Sequence, residues 1–221
     1  MKIFCVIPAY NEEDNIENVV RDVKKYIDNI IVVDDCSDDN TSHQAEKQGV
    51  TVLRHPVNRG QGAALQTGNT YALSRGADII VHFDADGQFL AKEIQPLTKP
   101  IIRGEADACF GSRFLTKRSE LPLLKEKLIL PLAGLVNRIF FNIRTTDPQN
   151  GFRALSRQVA GNIEIEQDQM AHCSEILHKV HKHGFRVKEV PVTVIYHEYG
   201  QKFSGGIKII KDIIIKGLSN K

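Results

Sequence analysis

The sequence predicts an α/β fold: a single domain on a mostly parallel central sheet flanked by helices. Three observations predict it. Short apolar runs alternate with amphipathic stretches through the first half of the chain, the pattern of strands joined by crossover helices. The composition, 42% apolar and 25% charged, is that of an ordinary globular protein. A length of 221 residues suffices for one substantial core and is short for two.

Taken in order, residues 3–7 read as a buried strand. Residues 11–27 read as a helix with Ile16, Val19, Val20 and Val23 on one face. Residues 30–33 form the second strand and 41–48 a short helix, with Thr41 as a suitable N-cap. A third strand at 50–53, a helix at 60–73 and a fourth strand at 79–83 continue the alternation. Such alternation implies a parallel sheet with right-handed crossovers, an architecture that suits nucleotide binding. Beyond it, 92–102 reads as helix and 106–111 as strand. An amphipathic segment at 123–141 is interrupted by Pro131, and a polar loop at 145–151 precedes a helix around 174–182. Extended pieces at 186–190 and 192–196 flank Pro191, and an Ile-rich helix covers 207–218.

Bulk properties exclude several classes. A formal charge of +2 is too small for nucleic acid as the main partner. Cys5, Cys36, Cys109 and Cys173 lie far apart with no CxxC pair, which fits reduced cytoplasmic thiols better than a zinc or disulfide framework. The apolar run at the N-terminus is too short for a signal peptide. The longest apolar runs, such as 128–136, fall well below the roughly 20 residues of a spanning helix.

Chemistry concentrates where strands end. Asp84, Ala85 and Asp86 follow the apolar run IIVHF, so carboxylates at i and i+2 can both reach one hard cation, with Gln88 as a third oxygen. A solvated turn is the plainer reading of such a triplet taken alone. The second strand also ends in acids, Asp34 and Asp35, and in open parallel sheets ligands bind beyond the carboxyl ends. The 38–41 stretch that follows reads as helix capping. After the first strand, where a dinucleotide-binding protein would carry GxGxxG, stands PAYNEE. There Tyr10 can cover a base, while Asn11 and Glu12 can cap a helix or bond a ribose.

The motifs IPAYNEE, VVDDCSDDNT, NRGQGAALQTG, HFDADGQF, FGSRF and DPQNGFRAL, in this order, resemble the family 2 glycosyltransferases of GT-A fold. Within that family the chain is most similar to dolichyl- and polyprenyl-phosphate sugar transferases. The resemblance implies a UDP- or GDP-linked sugar donor, inversion at the anomeric carbon, and Mg2+ or Mn2+ as cofactor. It implies a nucleotide site formed by Pro8, Ala9, Tyr10, Glu12, Asp34, Asp35, Gly62, Asp84 and Ala85, and a metal and diphosphate site at Asp84, Asp86 and Gln88. Arg113 and Arg153 are then expected to line the phosphate region, and residues 1–115 and 116–206 to serve donor and acceptor. Guanidinium groups and a divalent ion suit the charge that grows on a departing diphosphate.

The acceptor separates two readings. A sugar hydroxyl needs a general base, and Asp147, Asp168 and Glu175 are the candidates. A phosphate monoester, with a second pKa of about 6, is already anionic and needs cations to dock it. Arg113, Lys117, Arg118, Lys125 and Lys127 supply an excess of such charge. The apolar 207–218 helix, a face of the core in the plainer reading, suggests peripheral docking at the cytoplasmic side of a membrane. Departures from the family pattern are Gln61 where relatives carry a Lys, no Arg within 123–127, and His197 near a usual Arg. His172, His178, His181 and His183 occupy several helix faces and read as a surface helix. A nucleotidyltransferase would open with a Gly-rich, Arg-containing loop, which PAYNEE is not. An inactive nucleotide-binding module would not need the Asp84–Asp86 pair.

Overall fold

The β1 strand, Ile3–Ala9, is buried from its second residue to its last, and its side chains divide between two cores. Cys5, Ile7 and Ala9 face one side and Phe4 and Val6 the other, as the two-residue period of a strand requires. A strand apolar on both faces needs helices on both. The computed structural model, which describes residues 1–115, 145–169 and 171–195, supplies them.

Seven strands form one sheet in the order β3-β2-β1-β4-β6-β5-β7. They are β1, β2 (Asn29–Asp34), β3 (Thr51–Arg54), β4 (Ile79–His82), β5 (Ala108–Ser112), β6 (Arg153–Ser156) and β7 (Val187–Pro191). The helices are α1 (Ile16–Val23), α2 (Thr41–Lys47), α3 (Gln61–Ser74), α4 (Ile94–Ile102, entered through a 3-10 turn), α5 (Arg157–Asn162) and α6 (His172–Lys182). Ile16, Val19, Val20 and Val23 of α1 join Ile94 and Leu97 of α4 on one face. Ala64, Leu65 and Ala72 of α3 join Val159 of α5 and Ile176 and Val180 of α6 on the other.

The expected mixed α/β fold is therefore present, with one strand reversed. β6 runs antiparallel between β4 and β5, pairing His82 with Arg153 and Phe110 with Arg153. Neither β6 nor α5 is announced by periodicity, because each is short. Three local expectations also change. The 11–27 helix starts only at Ile16, since residues 11–14 are drawn into a neighbouring loop. Thr41 is the first residue of α2, after Asn40 at the cap position. Residues 192–195 make an isolated bridge, Phe89 to Val194, rather than a strand. The 123–141 and 207–218 segments, most of the 113–127 basic stretch and His197 lie outside the described residues.

Candidate active site at the carboxyl rim of the sheet

β1, β2 and β4 are parallel, so Ala9, Asp34 and His82 end at one rim. Because β6 opposes β4, the 145–152 loop that leads into it arrives at that rim as well. The acidic tip after β4 is set by packing. Phe83 meets Phe89 and Phe152 edge-on, with centroids 5.7 and 5.2 Å apart, and Ala85 turns into the core. The Asp84 and Asp86 side chains flank it, both half-buried.

Asp84 Oδ1 accepts a 2.8 Å hydrogen bond from Gln61 Nε2. A methyl group on Gly151 would lie 2.5 Å from Asp84 Oδ2, so glycine is what allows this loop to press on the carboxylate. Burial, followed by the negative charge of Asp86, pushes the Asp84 carboxyl up to about 7. Glu12 is raised too, by burial first, with Asp86 among the further causes. Acids that hinder one another's ionisation are what a divalent cation relieves. Among the described residues no group of three or more His, Cys, Asp or Glu is gathered as a metal cluster. The donor set fits Mg2+ or Mn2+, which take one or two carboxylates and fill the shell with water and phosphate oxygens.

Around the tip, two loops are laced together. Ser37 Oγ accepts from Asn11 N, Thr41 Oγ1 from Glu12 N, Asn11 Oδ1 from Asp38 N, and Glu13 Oε2 from Asn40 N, at 2.8–3.0 Å. Asn11 and Cys36 adopt positive φ, 55° and 65°, where the loops turn. This leaves Tyr10 46% exposed over the rim, while Pro8 and Ala9 are buried in β1.

The acids after β2 face inward. Asp34 is fully buried; its Oδ1 accepts from the amide and hydroxyl of Ser37 and its Oδ2 from Ser42 Oγ, and Arg54 Nε stands 3.4 Å away. Asp35 bonds His55 Nδ1 at 2.7 Å and accepts from the amides of Arg59 and Gly60 at 2.9 and 2.6 Å. Both carboxylates brace the loops around the rim. Gly62 belongs to the same region: its amide donates to Asp168 O, and a Cβ there would lie 2.0 Å from Gln167 O.

The expected catalytic residues fall into different environments. Arg113 grips Asp147 with Nε and Nη2, each 2.6 Å from a carboxylate oxygen, and Asp147 also accepts from Asn150 Nδ2 at 3.2 Å. Asp147, 2% exposed, is thus a buried ion-pair partner. Glu175 accepts from the amides of Glu166 and Gln167 and pairs with Lys179 at 2.9 Å. It clasps the 164–168 loop that lies on the start of α3. Arg153 is 1% exposed and buried below the rim. Asp168 is exposed, and Gln88 is tied through its carbonyl to Ile195 N at 2.8 Å.

Glu189 of β7 is a site-building residue that sequence reasoning missed. Its Oε1 accepts from Thr145 Oγ1, Thr146 N and Thr146 Oγ1 at 2.7–2.9 Å, just before Asp147. A single Glu in a short strand carries no motif that would reveal it. Because the Arg113–Asp147 pair is buried, Asp147→Ala is expected to destabilise the fold by about 3–5 kcal/mol, leaving the guanidinium uncompensated. Urea unfolding measures this, and a loss below ~1 kcal/mol would contradict the pairing.

Comparison with known proteins agrees with this geometry. A glucosyl-3-phosphoglycerate synthase from Mycobacterium tuberculosis, solved with Mn2+ and UDP-glucose, superposes with a TM-score of 0.77 at 21% identity, over 99% of this chain and 78% of that one. The fold is that of the GT-A glycosyltransferases. The sequence model for glycosyl transferase family 2 matches residues 4–163, and the chain belongs to that family. An uncharacterized protein of Methanocaldococcus jannaschii is 38% identical, over 97% of this chain and 92% of its own. The UDP-N-acetylglucosamine–dolichyl-phosphate N-acetylglucosaminyltransferase of Methanococcus voltae is 35% identical, over 89% of this chain and 87% of its own. Among the described residues no helix is long and apolar enough to cross a membrane.

Proposed function

We propose that this glycosyltransferase moves a sugar, with inversion, from a UDP- or GDP-linked donor to a polyprenyl phosphate at the cytoplasmic face of a membrane. The observation that carries the acceptor class is the fate of the candidate bases. Asp147 is held by Arg113 and Glu175 by two amides and Lys179, so neither is poised to deprotonate a hydroxyl. A phosphate monoester requires no such base. The dolichyl-phosphate substrate in the name of the Methanococcus voltae relative supports the same class.

In this reading Tyr10 and Glu12 face the nucleoside, with Asp34 and Asp35 acting through the loops they brace. Asp84 and Asp86, with Gln88 beside them, hold Mg2+ or Mn2+. The ion, when bound, supplies Lewis-acid stabilisation to the leaving diphosphate. Arg113, kept in place by Asp147 and Glu189, presents positive charge at the rim near the acceptor. Residues 1–115 serve the donor and 116–206 the acceptor. The alternative acceptor, a sugar hydroxyl, is favoured by one observation: Asp168 is an exposed acid next to the start of α3.

The test incubates the protein and Mn2+ with a panel of UDP- and GDP-sugars, with and without polyprenyl phosphate. The expected result is nucleoside diphosphate release that requires the lipid phosphate. Release requiring only a soluble sugar, and lost in Asp168→Asn, would replace this acceptor with the hydroxyl.

A further inference from the structure

Beneath the acidic tip lies a buried group of ionisable side chains that the proposed reaction does not use. Arg153 donates through Nε to Gly151 O at 3.1 Å and through Nη2 to Asn150 O at 3.3 Å. Its remaining bonded partner is a sulfur: Nη2 lies 3.1 Å from Cys173 Sγ. Among the described residues Nη1 has no partner. His172 Nε2 stands 3.4 Å from the same sulfur, while its Nδ1 faces Gln169 O at 2.9 Å. Cys173 is 4% exposed and His172 1%.

A guanidinium stays charged at any ordinary pH, and a buried charge needs a counter-charge. Backbone carbonyls give Arg153 dipoles but no charge. The other anion within electrostatic reach is Asp84, whose oxygen is bonded to Gln61 and whose charge, in the reading above, is taken up by the cation. The sulfur is what remains. We propose that Cys173 is held as a thiolate, the counter-charge to Arg153, and that the pair is a positioning device for Asp84. Arg153 fixes the carbonyls of Asn150 and Gly151, and Gly151 is the residue that abuts the Asp84 carboxylate. The positioning half rests on the reading of Asp84 as a cation ligand; the thiolate half does not.

The proton balance is simple. The S–H bond breaks, its electron pair stays on sulfur, and the proton moves to His172 Nε2, whose Nδ1–H donates to Gln169 O; the net charge of the group is unchanged, and the sulfur becomes an anion lying between the imidazolium and the Arg153 guanidinium. Burial pushes the Cys173 thiol up, but His172 and Arg153 outweigh it and bring it down to about 6. His172 moves in the opposite direction, with burial lowering it and Cys173 raising it to a net increase. Around them stand Asp84 and His82 of β4, the latter kept neutral by burial and by Arg153. Cys5 and Cys109 are pushed upward by burial, Cys109 to about 12, so they stay thiols.

Thiolate absorbance in the ultraviolet, read on the full chain with Cys36→Asn as background, tests the first half. One thiolate per chain is expected at neutral pH, disappearing as pH falls through about 6. Its absence at neutral pH overturns the proposal. Since the folded thiol lies below its ordinary value of 9.0, its stabilisation is full above that value and gone below about 6. The stability gap between parent and Cys173→Ser is therefore expected to widen as pH rises across that window. For the second half, Mn2+ affinity is measured by water-proton relaxation. Cys173→Ser and Arg153→Lys are each expected to lose about 10-fold, as supporting residues around metal ligands do. Unchanged affinity in either folded variant overturns the positioning role. A wild type that shows the thiolate yet binds no Mn2+ overturns the reading of the acidic tip, and the positioning role with it.

Discussion

Asp86→Ala is expected to abolish detectable turnover while leaving the melting temperature close to the wild-type value. The side chain is half-buried, and it accepts a hydrogen bond from Gln88 N at 3.0 Å that closes a local turn. Its negative charge also opposes the ionisation of Asp84 and Glu12, so its loss relieves repulsion in the fold. In the proposed function, what disappears is half of the carboxylate pair that holds the cation for the leaving diphosphate. Removing one charged contact to a transition state typically costs about 10²–10³ in rate, and a lost cation costs more. The measurements are release of nucleoside diphosphate and thermal unfolding by circular dichroism. Wild-type turnover in this variant would mean that the cation is held elsewhere.

Gly151→Ala should damage the same function without touching a charged group. The new methyl would stand 2.5 Å from Asp84 Oδ2 and 3.0 Å from Oδ1, closer than any real contact. Backbone conformation is no obstacle, since Gly151 is not among the glycines with positive φ. The cheapest relief is for the Asp84 carboxylate to swing away, breaking its 2.8 Å bond with Gln61. Expected is a loss of about 10–100-fold in Mn2+ affinity, the range seen when the support of a metal ligand is disturbed, with near-native unfolding. If affinity and turnover both match wild type, the close packing of Gly151 on Asp84 is wrong. Gly62→Ala is a useful contrast, because its methyl meets backbone, the carbonyl of Gln167 at 2.0 Å, and the loop itself must move.

The sequence conveys the sheet wherever the side-chain period is strong. Four strands in the first half stand within a few residues of the observed bounds; in β1, β2 and β4, Val and Ile runs buried on both faces leave few alternatives. It conveys poorly what depends on distant partners. RALS of β6 has neither length nor alternation, and it becomes a strand because β4 and β5 leave a gap between them. The NEED stretch has helix-forming composition, yet Asn11, Glu12 and Glu13 give their amides to Ser37, Thr41 and Asp39 instead.

The site shows the same division. Strand-end acids are legible as a group, but which of them face outward is not. Asp34 and Asp35 turn inward because Ser37, Ser42, His55 and the amides of Arg59 and Gly60 converge on them, contacts made across loops. Asp147 and Glu175 are acids of the right kind at plausible positions, but their ion-pair partners Arg113 and Lys179 are not legible in the sequence pattern. Arg153, expected from the resemblance to line the phosphate region, is buried, with its Nε bonded to Gly151 O.

The reversal of β6 has a consequence for how the molecule can be remodelled. A strand that begins where its neighbours finish anchors the loop before it at both ends, with Arg113–Asp147 at one and the β4–β6 ladder at the other. Loops beside it that link a strand to the next helix are held by side-chain bonds, such as Asn11 N to Ser37 and Asp38 N to Asn11, rather than by a second strand ladder. Chain length in the 145–152 span is therefore constrained by geometry on both sides, and variation that retunes selectivity has more freedom in the segments that do not bridge two fixed ladders.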